Sequence, residues 1–174
     1  MGSPGRAAAR TPATFVAALV VVVAVVAGLW GLGWWQRRTP TNPVPTVRYG
    51  ATLAQARLVA PFAVLAPAPA PAGWRATSVD WTTHAGKVSW HLGFLTPDDE
   101  YVGLEQSNRT PRTFVAVSTT ARRAGGSRVI DGQSWRVLLS PSQRALVHDG
   151  PGVTTVVTGT GTLAQLAAFV RTLR

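Results

Sequence analysis

Val88-Ser89-Trp90-His91-Leu92-Gly93-Phe94-Leu95 decides the fold of this chain. Successive side chains of an extended strand point to opposite faces. Val88, Trp90, Leu92 and Phe94 therefore share one face, opposite Ser89, His91, Gly93 and Leu95. The same period runs through Thr77 to Thr83, where Val79 and Trp81 alternate with Ser78, Asp80 and Thr82. It returns from Tyr101 to Gln106, with Val102 and Leu104 together. Gly86-Lys87 and Pro97-Asp98-Asp99 supply the turns, which predicts three consecutive antiparallel strands.

Downstream, Thr113 to Thr120 reads as a short helix and Arg122 to Gly126 as a loop. Asp131-Gly132 is a strong hairpin signal, followed by an inward row of Gln133, Trp135, Val137 and Leu139. Ala145 to His148 and Val153 to Thr158 make two more strands. A closing helix is predicted over Leu163–Leu173, opened by the capping box Thr162-x-x-Gln165. Upstream, Thr52-x-x-Gln55 predicts a helix from Leu53 to Ala60, ended by Pro61. The Pro-rich stretch Ala66 to Gly73 should carry no regular hydrogen-bonded structure. The fold class is α+β: six or seven mainly antiparallel strands with flanking helices. The row His91, Gly93, Leu95 is not strongly polar, so both sheet faces should be covered.

Before this domain, Ala13 to Trp35 runs 23 residues without a charge. As a helix it would reach roughly 35 Å at about 1.5 Å per residue, enough to cross a hydrocarbon core of about 30 Å. No Ala-x-Ala cleavage site follows, and Trp30, Trp34 and Trp35 suit an interfacial belt, so an uncleaved single span is expected. The organisation is a basic tail (1–12), a transmembrane helix (13–35), a Pro-rich linker (36–50) and an α+β domain (51–174). Arg37, Arg38, Arg48 and Arg57 outnumber Arg6 and Arg10, and this bare count favours a cytoplasmic domain.

The net charge is +10, carried by 16 Arg and one Lys against seven acidic residues. From Thr39 onward the balance is still basic, which would draw the domain to an anionic surface. Anionic lipid, an acidic envelope polymer or an envelope protein are the expected partners. Nucleic acid is not expected, because only Phe114 lies among the clustered Arg109, Arg112, Arg122, Arg123 and Arg128. Those five are the candidate anion or partner contacts. The absence of cysteine excludes disulfides and thiolate chemistry.

No catalytic or metal motif stands out. His-Glu-x-x-His and Gly-x-Ser-x-Gly are missing, and His84, His91 and His148 are scattered. His91 reads as a structural residue of its strand. Asp98, Asp99 and Glu100 read as a solvated turn. Gly159-x-Gly161-x-x-Ala164 has dinucleotide-fingerprint spacing, but no βαβ unit follows it before Arg174, so the glycines read as a tight strand-to-helix turn. No cofactor is expected. Trp90, His91 and Trp135 are the candidate lining of a pocket for an apolar ligand.

The runs Gly73-Trp74-Arg75-Ala76-Thr77-Ser78, Trp90-His91-Leu92-Gly93-Phe94 and Tyr101-Val102-Gly103-Leu104-Glu105-Gln106 carry a resemblance. Through them, and Val157-Thr158-Gly159, the chain resembles the actinobacterial membrane-anchored proteins grouped as a domain-of-unknown-function family. The resemblance implies a single-pass cell-membrane protein with an extracytoplasmic domain, against the Arg count, and transfers no catalytic residues. The element order is also similar to the PsbP/Mog1-type fold, which fixes no function. The leading expectation is a non-enzymatic envelope interaction module. A carrier or sensor of lipid is the alternative, and a hydrolase or metal enzyme using His91 or His148 comes third.

Overall fold

The computed structural model describes residues 44–174, which form a compact unit with its own core. The expected span at 13–35 lies outside the described residues. Among those described, no helix is long and apolar enough to cross a membrane.

The elements in order are α1 (Gly50–Val59), β1 (Arg75–His84), β2 (Lys87–Leu95), β3 (Tyr101–Ser107) and α2 (Pro111–Ser118). They continue with β4 (Arg123–Ile130), β5 (Gln133–Leu139), β6 (Arg144–Gly150), β7 (Val153–Gly159) and α3 (Leu163–Val170). All seven strands form one antiparallel sheet in the order β1-β2-β3-β7-β6-β5-β4. The α+β reading and the three-strand start therefore hold. Two meanders, β1-β2-β3 and β4-β5-β6-β7, meet where β3 pairs with β7.

Alternation assigns the faces. Trp90, Leu92 and Phe94 of β2, Val102 and Leu104 of β3, Val157, Leu146, Trp135 and Val137 make one apolar surface. Leu166, Phe169 and Val170 of α3 and Ala56 of α1 close over it. Trp74 stacks on Phe169 at 5.4 Å, and Phe94 meets Phe169 edge-on. Such burial is worth about 1.5–3 kcal/mol per large apolar side chain.

The second face is covered over part of its width. Phe114 of α2 packs with Ala121 on Ala145, Val147 and Val156, over β6 and β7. The β1–β3 half of that face stays partly open, with Asp80 exposed and His91 and Glu105 half-buried. The expected third layer is thus a half-layer.

Several boundaries differ from the sequence reading. Helix α1 starts at Gly50 with Tyr49 at its N-cap, so Thr52 lies inside it and makes no capping bond. Tyr49 packs edge-on against Phe94, and Val47 N–H donates to Ala76 carbonyl at 2.8 Å; these contacts fix the entry of the chain three residues earlier. The expected loop at Arg122–Gly126 is largely the start of β4, an edge strand with seven of eight residues exposed. Helix α3 ends at Val170, three residues short of the expectation. The Pro-rich stretch is not free of pairing: Ala66 exchanges both backbone bonds with Arg174. The capping box at Thr162 and Gln165 forms in full. The Asp131-Gly132 turn has both residues at positive φ, 48° and 78°, as a two-residue hairpin requires.

Candidate functional site

The half-open face gathers side chains that are distant in sequence. Asp80, His91 and Glu105 are directly opposite one another on β1, β2 and β3. Gly93 sits between Ser78 and Gly103 in the next row. His91 Nδ1 lies 2.6 Å from Glu105 Oε1, and its Nε2 lies 2.8 Å from Ser78 Oγ. An ionised carboxylate only accepts, so Nδ1 carries the proton shared with Glu105. In the neutral ring Nε2 then accepts from the Ser78 hydroxyl. Ser78, His91 and Glu105 thus form a hydrogen-bonded series running diagonally across three strands.

Tyr101 completes the group. Its ring lies across the paired glycines: a methyl built on Gly103 would stand 2.7 Å from the Tyr101 hydroxyl. One built on Gly93 would stand 3.0 Å from that hydroxyl and collide with Ser78 Oγ. Both hydroxyls therefore occupy the space left by absent Cβ atoms. Burial pushes the Tyr101 phenol up to about 12, the Glu105 charge adds to this, and the Ser78 hydroxyl beside it opposes. The hydrogen bond to Glu105 raises the His91 pKa; burial opposes, and the charges of Glu105 and Asp80 add to the rise.

The candidate pocket residues do not share a pocket. Trp90 is fully buried in the main core, with its indole N–H donating to the Leu65 carbonyl at 3.1 Å. His91, its neighbour in the strand, faces the other way. Trp135 lines a separate cavity of about 210 Å³ with Leu65, Ile130, Val170 and Leu173, and its buried indole N–H has no partner. The His148 ring lies tilted against Trp135 at 5.3 Å and bonds the Ser134 carbonyl through Nδ1. His91 and His148 thus occupy opposite faces. Among the described residues no three His, Asp or Glu side chains are placed to hold a metal ion.

The five arginines also divide. Arg122 turns back on α2, donating to the carbonyls of Ala116, Thr119 and Ala121 at the helix C-terminus. Arg109 lines a cleft of about 340 Å³ with Lys87, Asn108 and Thr154. Arg112 is exposed on α2, and Arg123 and Arg128 are exposed on β4. Glu100 is engaged by Thr160, and Thr96 Oγ1 accepts from the Asp98 and Glu100 N–H groups. At Gly159, a Cβ would collide with the Tyr101 carbonyl, which explains that glycine by close backbone approach.

Ser78, Glu105 and Tyr101 escape the sequence reading because each occupies an ordinary polar or turn-side place in its strand. The pairing register alone joins them. The signal available in the sequence is that all three, with His91, fall within the runs that carry the family resemblance. No curated protein and no solved structure matches the chain. A family model described as a protein of unknown function (DUF4245) matches residues 8–173, and the chain belongs to that family.

Proposed function

We propose that the chain is a single-pass, membrane-anchored envelope protein whose domain works by contact with an anionic envelope component, lipid or polymer. The observation that carries this reading is the pairing of charge. Among the described residues Arg136 and Arg171 are the only arginines that reach a side-chain carboxylate, at 2.7 and 4.0 Å. Arg109, Arg112, Arg123 and Arg128 stand exposed with no acidic partner. Guanidinium groups suit phosphate and carboxylate oxygens because their planar fork donates two parallel bonds. The apolar run at 13–35 supports the anchor, and the family resemblance supports an extracytoplasmic domain.

Co-sedimentation of residues 44–174 with phosphatidylglycerol or phosphatidylcholine vesicles tests the reading. Binding to the anionic vesicles alone, weakening as salt rises, is expected. Each basic side chain near such a surface contributes about 1 kcal/mol, so Arg109→Ala with Arg112→Ala, or Arg123→Ala with Arg128→Ala, should weaken it roughly 30-fold. The pair with the larger effect identifies the contact surface. Equal affinity for both vesicle types would refute a charge-based contact with lipid, and soluble anionic polymer would then be assayed the same way.

A further inference from the structure

We infer that Ser78 is a nucleophile, activated by His91 and Glu105, that cleaves small carboxylic esters on the half-open face of the sheet. The proposal rests on connectivity that a cross-strand polar ladder does not need. Ser78 Oγ meets one ring nitrogen of His91 at 2.8 Å, and the other ring nitrogen meets a carboxylate at 2.6 Å. That is the arrangement in which a histidine takes a hydroxyl proton while the carboxylate holds its tautomer and stabilises the imidazolium. The group is also not sealed in by a covering helix. Ser78 is half-buried, the His91 and Glu105 side chains are 29% and 20% exposed, and helix α2 packs over β6 and β7 instead. The Tyr101 hydroxyl stands beside Ser78 over Gly93 and stays protonated far above neutral pH, so it is a donor placed for developing oxygen charge.

The reaction balances with water as the only co-reactant. Ser78 Oγ bonds to the ester carbonyl carbon while its proton moves to His91 Nε2. The carbonyl electron pair moves onto oxygen, next to Tyr101. Collapse breaks the bond to the alkoxy group, which leaves with the His91 proton as an alcohol. Water then attacks the acyl-Ser78, giving its proton to His91, and the acid departs as Ser78 is regenerated. The proposal is independent of the anionic contact above, since the probe is uncharged and no arginine takes part.

Labelling of the full chain with a fluorophosphonate, read by peptide mass spectrometry, tests it. Modification at Ser78 is expected to outrun every other serine and to vanish on unfolding in urea. His91→Gln should slow it by about 100-fold, the lower end of what a positioned base supplies. Glu105→Gln should slow it too. The rate should climb with pH through the raised His91 pKa and then level, because only the neutral ring accepts the proton. Ser89→Ala, which removes a hydroxyl bonded to Ser107 on the same face, should leave the rate unchanged and reports on the fold. Ser78 unlabelled in a protein whose Ser89→Ala variant and parent unfold cooperatively overturns the proposal. So does labelling at the same rate in the presence of urea.

Discussion

Replacing Gln106 by leucine is the sharpest probe of how this domain is held together. Gln106 is 1% exposed, on the core face of β3. Its oxygen accepts from the Leu65 N–H at 2.7 Å, and its nitrogen donates to the Ala63 carbonyl at 3.2 Å and to Thr155 Oγ1 at 3.3 Å. The carboxamide acts as a spare peptide group, pinning the irregular chain between α1 and β1 to the sheet. Leucine keeps the volume and removes all three bonds. A buried N–H left without a partner costs about 1–3 kcal/mol. The Ala63 carbonyl belongs to an exposed residue that water reaches, so its loss is smaller. A leucine tip needs no partner and offsets part of the cost, leaving a net destabilisation of about 2–3 kcal/mol. For a unit of this length that lowers Tm by roughly 6–10 °C. Urea unfolding of residues 44–174, followed by tryptophan fluorescence, measures it, with the slope against urea expected to stay the same. Thr155→Val removes only the third bond and should cost about 1 kcal/mol. If Gln106→Leu costs no more than Thr155→Val, the strap is not held by this side chain and the reasoning fails.

Gly159→Ala should destabilise by about 3 kcal/mol, since its methyl meets the Tyr101 carbonyl and backbone must shift; a loss below about 1 kcal/mol in the same urea assay would show that the turn can open. The pH dependence follows from His91, whose proton is held more tightly folded than unfolded. The stability this provides is complete below the unfolded value of about 6.5 and is lost as pH rises through the folded one. Unfolding free energy should therefore fall across neutral pH, and His91→Gln should flatten the slope; an unaltered slope would refute the assignment.

The legible parts of the fold were those with local causes. Alternation in Val88–Leu95 gave β2, Asp131-Gly132 gave a hairpin, and the Thr162–Gln165 box gave the start of α3. The first half of β4 is hidden because an edge strand exposed on nearly all its residues leaves no alternation, and Gly125-Gly126 mimics a loop. The start of α1 departs from the Thr52 capping pattern because packing of Tyr49 on Phe94 outweighs it. The face bearing Ser78, His91, Glu105 and Tyr101 was illegible for a related reason. A polar residue facing outward on a strand says nothing about its neighbours until the register is known. The glycines that admit Tyr101, Gly93 and Gly103, lie ten residues apart in sequence and directly opposite in space.

The junction of the two meanders has a consequence for the order of assembly. Within each meander, neighbouring strands follow one another in sequence, but β3 and β7 pair residues as far apart as Val102 and Gly159. During synthesis β3 is finished long before its outer partner exists. Its row of unmet N–H and C=O groups must wait through the making of α2 and three further strands. Only β7 can cover it, and α3, which seals the core, comes later still. The nascent chain therefore carries a bare strand edge until β7 has been added. Truncation anywhere before Val153 would leave that edge permanently bare, a template for pairing with other chains.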